Sequence, residues 1–187
     1  MGVKGCPTLL EKLGWYSPAG HLTGQEENMT EKLSSSAQRV QDALKAFGLT
    51  CRVVEMPQTT RTAEDAARAV GCMEGQIVKS LIFKGKPSGM PVLVATSGSN
   101  RVDEKKIAVL IGESLGKADA EFVRENTGFA IGGVPPAGHV RHVTVFIDED
   151  LMHHEEIWAA AGTPRAVFKL TPQDLVKITN GKVVPVK

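Results

Sequence analysis

Gln76-Ile77-Val78-Lys79-Ser80-Leu81-Ile82-Phe83 and Met90-Pro91-Val92-Leu93-Val94-Ala95-Thr96 are two apolar runs rich in β-branched residues. Lys84-Gly85-Lys86-Pro87-Ser88-Gly89, between them, carries strong turn chemistry, so the pair reads as a hairpin at the heart of a sheet. Upstream, Ser36 can cap a helix that places Val40, Ala43, Leu44 and Phe47 on one face and stops at Gly48. A short strand over 51–56 ends at Pro57. Thr62-Ala63-Glu64-Asp65 then resembles a capping box, with Asp65 in place of the usual Glu, opening an alanine-rich helix that ends at Gly71. Downstream, Ser97-Gly98-Ser99-Asn100 makes the exit loop, followed by expected helices over 103–110 and 119–126. Strands are expected over 129–131 and 143–147. A helix starting at Asp148 or Glu149 would carry Leu151, Met152, Ile157 and Trp158 to a stop at Gly162. A strand over 166–170 and a helix opened by Pro172 complete the pattern. Strands and helices mix irregularly and without repeats, which predicts one α+β domain over residues 34–187.

Residues 1–33 read differently: Gly, Pro, Ser and polar residues dominate, with Trp15 and Tyr16 isolated. They are expected to be an N-terminal extension, or alternatively to hold a helix around 8–13 packed on the domain. With 187 residues, 42% hydrophobic and 23% charged, the chain has the composition of an ordinary globular protein. A net charge of +1 argues neither for nor against a nucleic-acid partner, since binding an RNA end needs only a local basic patch. Cys6, Cys51 and Cys72 are odd in number and scattered, which favours reduced thiols and a cytoplasmic location over disulfides or a zinc site. No apolar run suggests a membrane span, and the start lacks the pattern of a signal peptide.

Two features invite a chemical reading. Gly132-Gly133-Val134-Pro135-Pro136-Ala137-Gly138-His139 is a thin, stiff loop: the glycines allow close approach of backbone to a ligand, and the prolines fix φ. It suits a carbonyl oxygen or a phosphate held by backbone N–H groups, and equally a tight structural turn. Lys79 interrupts an apolar strand and shares a face with Ile77 and Leu81. Its ammonium either aims at phosphate or carboxylate in a cleft or snorkels at a sheet edge. His139 could serve substrate or brace its own loop, whereas His153 and His154, adjacent on a helix, could not face one ion. The chain lacks a GxSxG elbow, a Walker loop and a GxGxxG fingerprint, so those hydrolase and nucleotide-binding chemistries have no support.

Gly75 to Leu81 and Ala130 to His139, taken with Val145-Phe146-Ile147-Asp148-Glu149 and Trp158-Ala159-Ala160-Ala161-Gly162-Thr163-Pro164, occur in the order of a known pattern. Over residues 36–184 the chain resembles the YbaK family, also called the prolyl-tRNA-synthetase-associated editing domain family. The resemblance implies a mixed, strongly curved β-sheet flanked by helices, and a free-standing trans-editing deacylase that hydrolyses tRNA mischarged with a small amino acid (Ala, Ser, Thr or Cys). It implies Lys79 at the tRNA 3′-terminal adenosine or its phosphate, and Gly132 and Gly133 holding the scissile ester. Ser97, Asn100, Ile131, Val134, Pro135, Gly138 and His139 are the candidates for holding the rest of the substrate. No metal or cofactor is implied. The expected partners are aminoacyl-tRNA and, transiently, an aminoacyl-tRNA synthetase, with neither DNA nor membrane. A non-catalytic tRNA- or synthetase-binding module on the same fold is the alternative.

Overall fold

The computed structural model describes residues 32–187, and the expected extension over 1–33 lies almost wholly outside them. The hairpin is present and central. β2 (Ile77–Lys86) and β3 (Pro91–Ser97) pair antiparallel from Val78↔Ser97 to Lys84↔Pro91. β3 is buried along its whole length, as expected of a continuous apolar run in the middle of a sheet.

Around the hairpin the chain adds α1 (Ser35–Ala46), β1 (Val53–Glu55), α2 (Ala63–Val70), α3 (Glu104–Ile111), β4 (Ser114–Lys117) and α4 (Ala120–Thr127). β5 (Thr144–Asp148), β6 (Ile157–Ala160), β7 (Ala166–Leu170), α5 (Pro172–Thr179) and β8 (Lys182–Val184) follow. The sheet runs β1-β7-β6-β2-β3-β5-β8, with β4 paired to β2. It is mixed, because β2–β6, β3–β5 and β5–β8 are parallel and the other pairs antiparallel. The α+β class therefore holds.

One face of the sheet carries the main core, where Val78, Leu93, Ala95, Ile147, Ile157 and Phe168 pack with Val40, Leu44, Phe129 and Val134. The other face holds two separate clusters. Ile77 and Val167 lie under α2, and Val92, Val94 and Phe146 lie with Ile107 of α3. By strand alternation, Lys79, Thr96 and Asp148 belong to this second face, in the stretch between the two clusters.

Several local expectations are corrected. No helix runs from Asp148 to Gly162. A 3₁₀ segment, Glu149–His153, is followed by strand β6. Ile157 and Ala159 are buried while Trp158 and Ala160 are half-buried, a period of two that fits between β2 and β7 and overrides the apparent helical spacing. The expected strand over 129–131 is a turn: Phe129 is buried, Ile131 exposed, and Gly133 N–H returns to the Ala130 carbonyl at 3.1 Å. Ser36 lies inside α1, and the residue at its cap, Ser34, spends its hydroxyl on Glu55 at 2.5 Å instead. β4 and β8 were not expected. Both are short, and β4 is built from Ser114-Leu115-Gly116-Lys117, which has no alternating pattern to announce it. Among the described residues no helix is long and apolar enough to cross a membrane.

Candidate active site

β2 is forked. On the edge opposite β3 it pairs with β6 only at Ile77 and Val78, and with β4 only from Phe83 onward. Among the described residues, 79–82 have no ladder partner on that edge, so no described strand covers β2 beside Lys79.

The Lys79 ammonium donates to two backbone carbonyls of the exit loop, Gly98 at 2.9 Å and Asn100 at 2.6 Å. Among the described residues it forms no ion pair. Burial pushes its pKa below the ordinary lysine value. The Glu74 carboxylate opposes that shift, Arg101 reinforces it, and the Asp148 carboxylate opposes it again. A cation held by carbonyls rather than spent on a carboxylate keeps its positive charge for another partner. The Lys79 side chain is half-buried and its ammonium is turned onto the loop.

The loop that receives Lys79 is itself fixed from behind. Asn100 N–H closes a turn onto the Ser97 carbonyl at 3.0 Å. The Ser97 hydroxyl donates to the Gly75 carbonyl at 2.8 Å. Gly98 packs so closely on the Glu74 backbone that a Cβ there would run into the Glu74 carbonyl oxygen. Beneath the turn sits Asp148, fully buried. One of its oxygens accepts from the Thr96 hydroxyl and Ser97 N–H, both at 3.0 Å, and from the Asn100 amide at 2.8 Å. The other accepts from Asp150 N–H at 3.1 Å. In the sequence Asp148 reads as a helix start and as part of the family-like stretch Val145-Phe146-Ile147-Asp148-Glu149, without a role at the site. The signal was available in a carboxylate closing the apolar run Val145-Phe146-Ile147.

The glycine-proline loop forms a second group. Gly132 has a φ of +87° with open space around it, which suits glycine. Gly133 is pressed onto the β6–β7 turn: an added Cβ would lie 2.8–2.9 Å from the backbone of Thr163, and the Gly133 carbonyl accepts from Gly162 N–H at 2.8 Å. Gly133 N–H is engaged with Ala130, whereas Gly132 N–H has no hydrogen-bond partner among the described residues. Val134, Pro135 and Pro136 are buried, Gly138 turns with a φ of +81°, and Ile131 stands exposed at the rim.

His139 donates from Nε2 to the Pro135 carbonyl at 2.8 Å, bracing the loop from within. Burial pushes its pKa below the ordinary 6.5, with the hydrogen bond to Pro135 pulling the other way. The folded protein thus resists a proton that the unfolded chain accepts. The stability His139 contributes is complete above about pH 6.5 and is lost as pH falls from there toward its lowered folded value. Melting temperatures followed from about pH 8 to about pH 5 should drop less in His139→Gln than in the parent; equal slopes would show that His139 is not the group responsible.

Lys79, Ser97 and Asn100 are therefore brought together, and Ile131, Gly132, Gly133, Val134, Pro135, Gly138 and His139 form one loop. No hydrogen bond among the described residues joins the groups directly. β6 links them, pairing through Ala159 with Val78 and leading to Gly162, whose N–H donates to the Gly133 carbonyl.

A family model described as the aminoacyl-tRNA editing domain matches residues 57–178, a span that contains both groups. The chain belongs to that family. Editing-domain membership makes it an aminoacyl-tRNA deacylase of the YbaK type. A solved structure provisionally described as a trans-editing enzyme for prolyl-tRNA synthetase is 51% identical. It covers 83% of this chain and 99% of its own, with a TM-score of 0.80. The chain is 30% identical over 131 residues to the protein YwhH of Bacillus subtilis, covering 70% of this chain and 83% of that one. It is also 30% identical to EbsC of Enterococcus faecalis, provisionally named a Cys-tRNA(Pro)/Cys-tRNA(Cys) deacylase, covering 65% and 74%.

Proposed function

We propose that this editing-domain protein acts free-standing, hydrolysing the ester of tRNA mischarged with a small amino acid: Ala, Ser, Thr or Cys. The observation that carries the mechanism is the Lys79 ammonium, positioned by two carbonyls and, among the described residues, in no ion pair with a carboxylate. It holds a phosphate or ribose oxygen of the 3′-terminal adenosine beside residues 79–82. The ester carbonyl lies against the glycine loop, where Gly132 N–H is available to the oxyanion that develops as water attacks. Ser97, Asn100, Ile131, Val134, Pro135, Gly138 and His139 shape the surroundings of the substrate end.

Such a site needs neither a nucleophilic side chain nor an acyl-enzyme. An aminoacyl ester is already activated, so placing a water and stabilising the tetrahedral oxyanion supply the rate. Water adds to the carbonyl carbon, the ester C–O bond breaks, and the ribose oxygen leaves with a proton. Selectivity against the correct amino acid comes from pocket size, because synthetases separate small side chains by only about 1–3 kcal/mol per methylene. The protein works in the cytoplasm on tRNA, in transient contact with a synthetase.

A panel of purified alanyl-, seryl-, threonyl- and cysteinyl-tRNA tests this reading. At least one ester should be hydrolysed faster than its spontaneous rate, and aminoacyl esters lacking the terminal adenosine should be poor substrates. Protection of every ester from hydrolysis would identify a binding module instead.

A further inference from the structure

Asp148 lies outside the groups just assigned to the reaction, yet it is the best-connected polar side chain in their neighbourhood. It is fully buried and accepts four hydrogen bonds, three of them on one oxygen. Its donors are not scattered. Thr96, Ser97 and Asn100 are the last residues of β3 and the far end of the turn whose carbonyls take Lys79. Thr96 is also the cross-strand partner of Lys79. The same Asn100 amide reaches Asp150 at 2.8 Å, so the turn is gripped by two carboxylates at the β5 exit, two residues apart.

We infer that Asp148 is a positioning residue for Lys79: it locks the turn over 97–100 so that two of its carbonyls occupy two of the ammonium's three protons and the third is left for substrate. The inference rests on the reading of Lys79 as the group that touches the tRNA end. Without Asp148 the turn loses its hold on Thr96 and Ser97, and Asn100 keeps only its amide bond to Asp150 and its turn bond to Ser97, so the two carbonyls are no longer fixed to converge. The ammonium would then reorient, and a displacement of about 1 Å in such a group is enough to cost a large factor in rate. The charges facing Lys79 are Glu74, Arg101 and Asp148 itself, so removing Asp148 also removes one of the two carboxylates that counter the burial of the amine.

The experiment compares the parent protein with Asp148→Asn, which keeps the shape, removes the charge and replaces one acceptor oxygen by an amide donor. Two readouts are taken: single-turnover deacylation of the best ester from the panel, and titration of Lys79 followed by NMR of ε-¹³C-lysine, assigned with Lys79→Ala. The expected result is a rate constant lower by about tenfold or more and a Lys79 titration midpoint moved to lower pH, with the melting curve still cooperative. Loss of the charge alone would move the Lys79 resonance without slowing the reaction, so a moved resonance with an unchanged rate overturns the inference, as do a slower enzyme with an unmoved resonance and the absence of any change. Full activity in Lys79→Ala would instead remove the reading of Lys79 on which the inference rests. Should Asp148→Asn fail to fold, Asn100→Ala removes the link between anchor and turn at a half-buried site. It should likewise slow the reaction and shift the Lys79 resonance, and an unmoved resonance in that variant counts equally against the inference.

Discussion

Lys79→Ala is expected to lower kcat/KM for deacylation by about 10²–10³, the range found when one electrostatic donor is removed from a hydrolytic site. The fold should survive. Truncation leaves the Gly98 and Asn100 carbonyls without a donor, at a cost of roughly 1–3 kcal/mol for an acceptor that water cannot reach. Asn100 is only half-buried, so water replaces much of what is lost there. The variant also removes an ammonium whose burial is unfavourable, as its lowered pKa shows. These terms oppose one another, and the net change in stability is expected to be about 1 kcal/mol. Lys79→Met, which keeps the apolar stem and discards the charge, should be as inactive as the alanine variant. Deacylation assays beside thermal melts separate the two effects. Full activity in either variant would remove the lysine from the mechanism.

Gly133→Ala is expected to have the second largest effect, for a steric reason. The new Cβ would sit 2.8–2.9 Å from the N, Cα and C atoms of Thr163, and backbone cannot step aside as a side-chain tip can. The loop must lift away from the β6–β7 turn, straining the Gly133–Gly162 hydrogen bond. Overpacking of this kind costs about 1–3 kcal/mol. Displacing Gly132 N–H, the proposed oxyanion donor, by about 1 Å should cost about 10² in rate. Thr163→Ala should not rescue it, because the atoms in conflict are backbone. Rescue by that second change, or an unaltered rate in Gly133→Ala, would show that the loop does not need to lie where it does. Gly132→Ala differs in origin: it meets no neighbour, and its cost of about 1–2 kcal/mol comes from its positive φ alone.

These two positions show how unevenly the molecule is written in its sequence. The hairpin was legible because β2 and β3 are long, apolar and separated by a turn rich in Gly and Pro, so local preference and burial agree. The α2 start was legible because Thr62 caps locally, accepting from Asp65 N–H at 3.0 Å. β6 was misread because its four residues follow a 3₁₀ turn, and their choice of strand is dictated by β2 and β7 on either side, far away in sequence. The fork in β2 is invisible for the same reason, since it depends on where β6 ends and β4 begins.

At the site, the unusual residue types could be read locally: a lysine in an apolar strand, and glycines beside prolines. What they touch could not. The difference between Gly132 and Gly133, one in open space and one against Thr163, depends on a contact across thirty residues of chain. The role of Asp148 rests likewise on hydrogen bonds spanning about fifty positions.

The central claim is that Lys79 and the glycine loop, linked through β6, act on one ester. A structure of the protein with a non-hydrolysable aminoacyl-adenosine, its ester replaced by an amide, tests this most directly. The account predicts the Lys79 ammonium within about 3 Å of a ribose or phosphate oxygen and Gly132 N–H within about 3 Å of the acyl oxygen of the same molecule. A ligand seated on Lys79 with its acyl group turned away from the loop, or bound elsewhere on the protein, would contradict it.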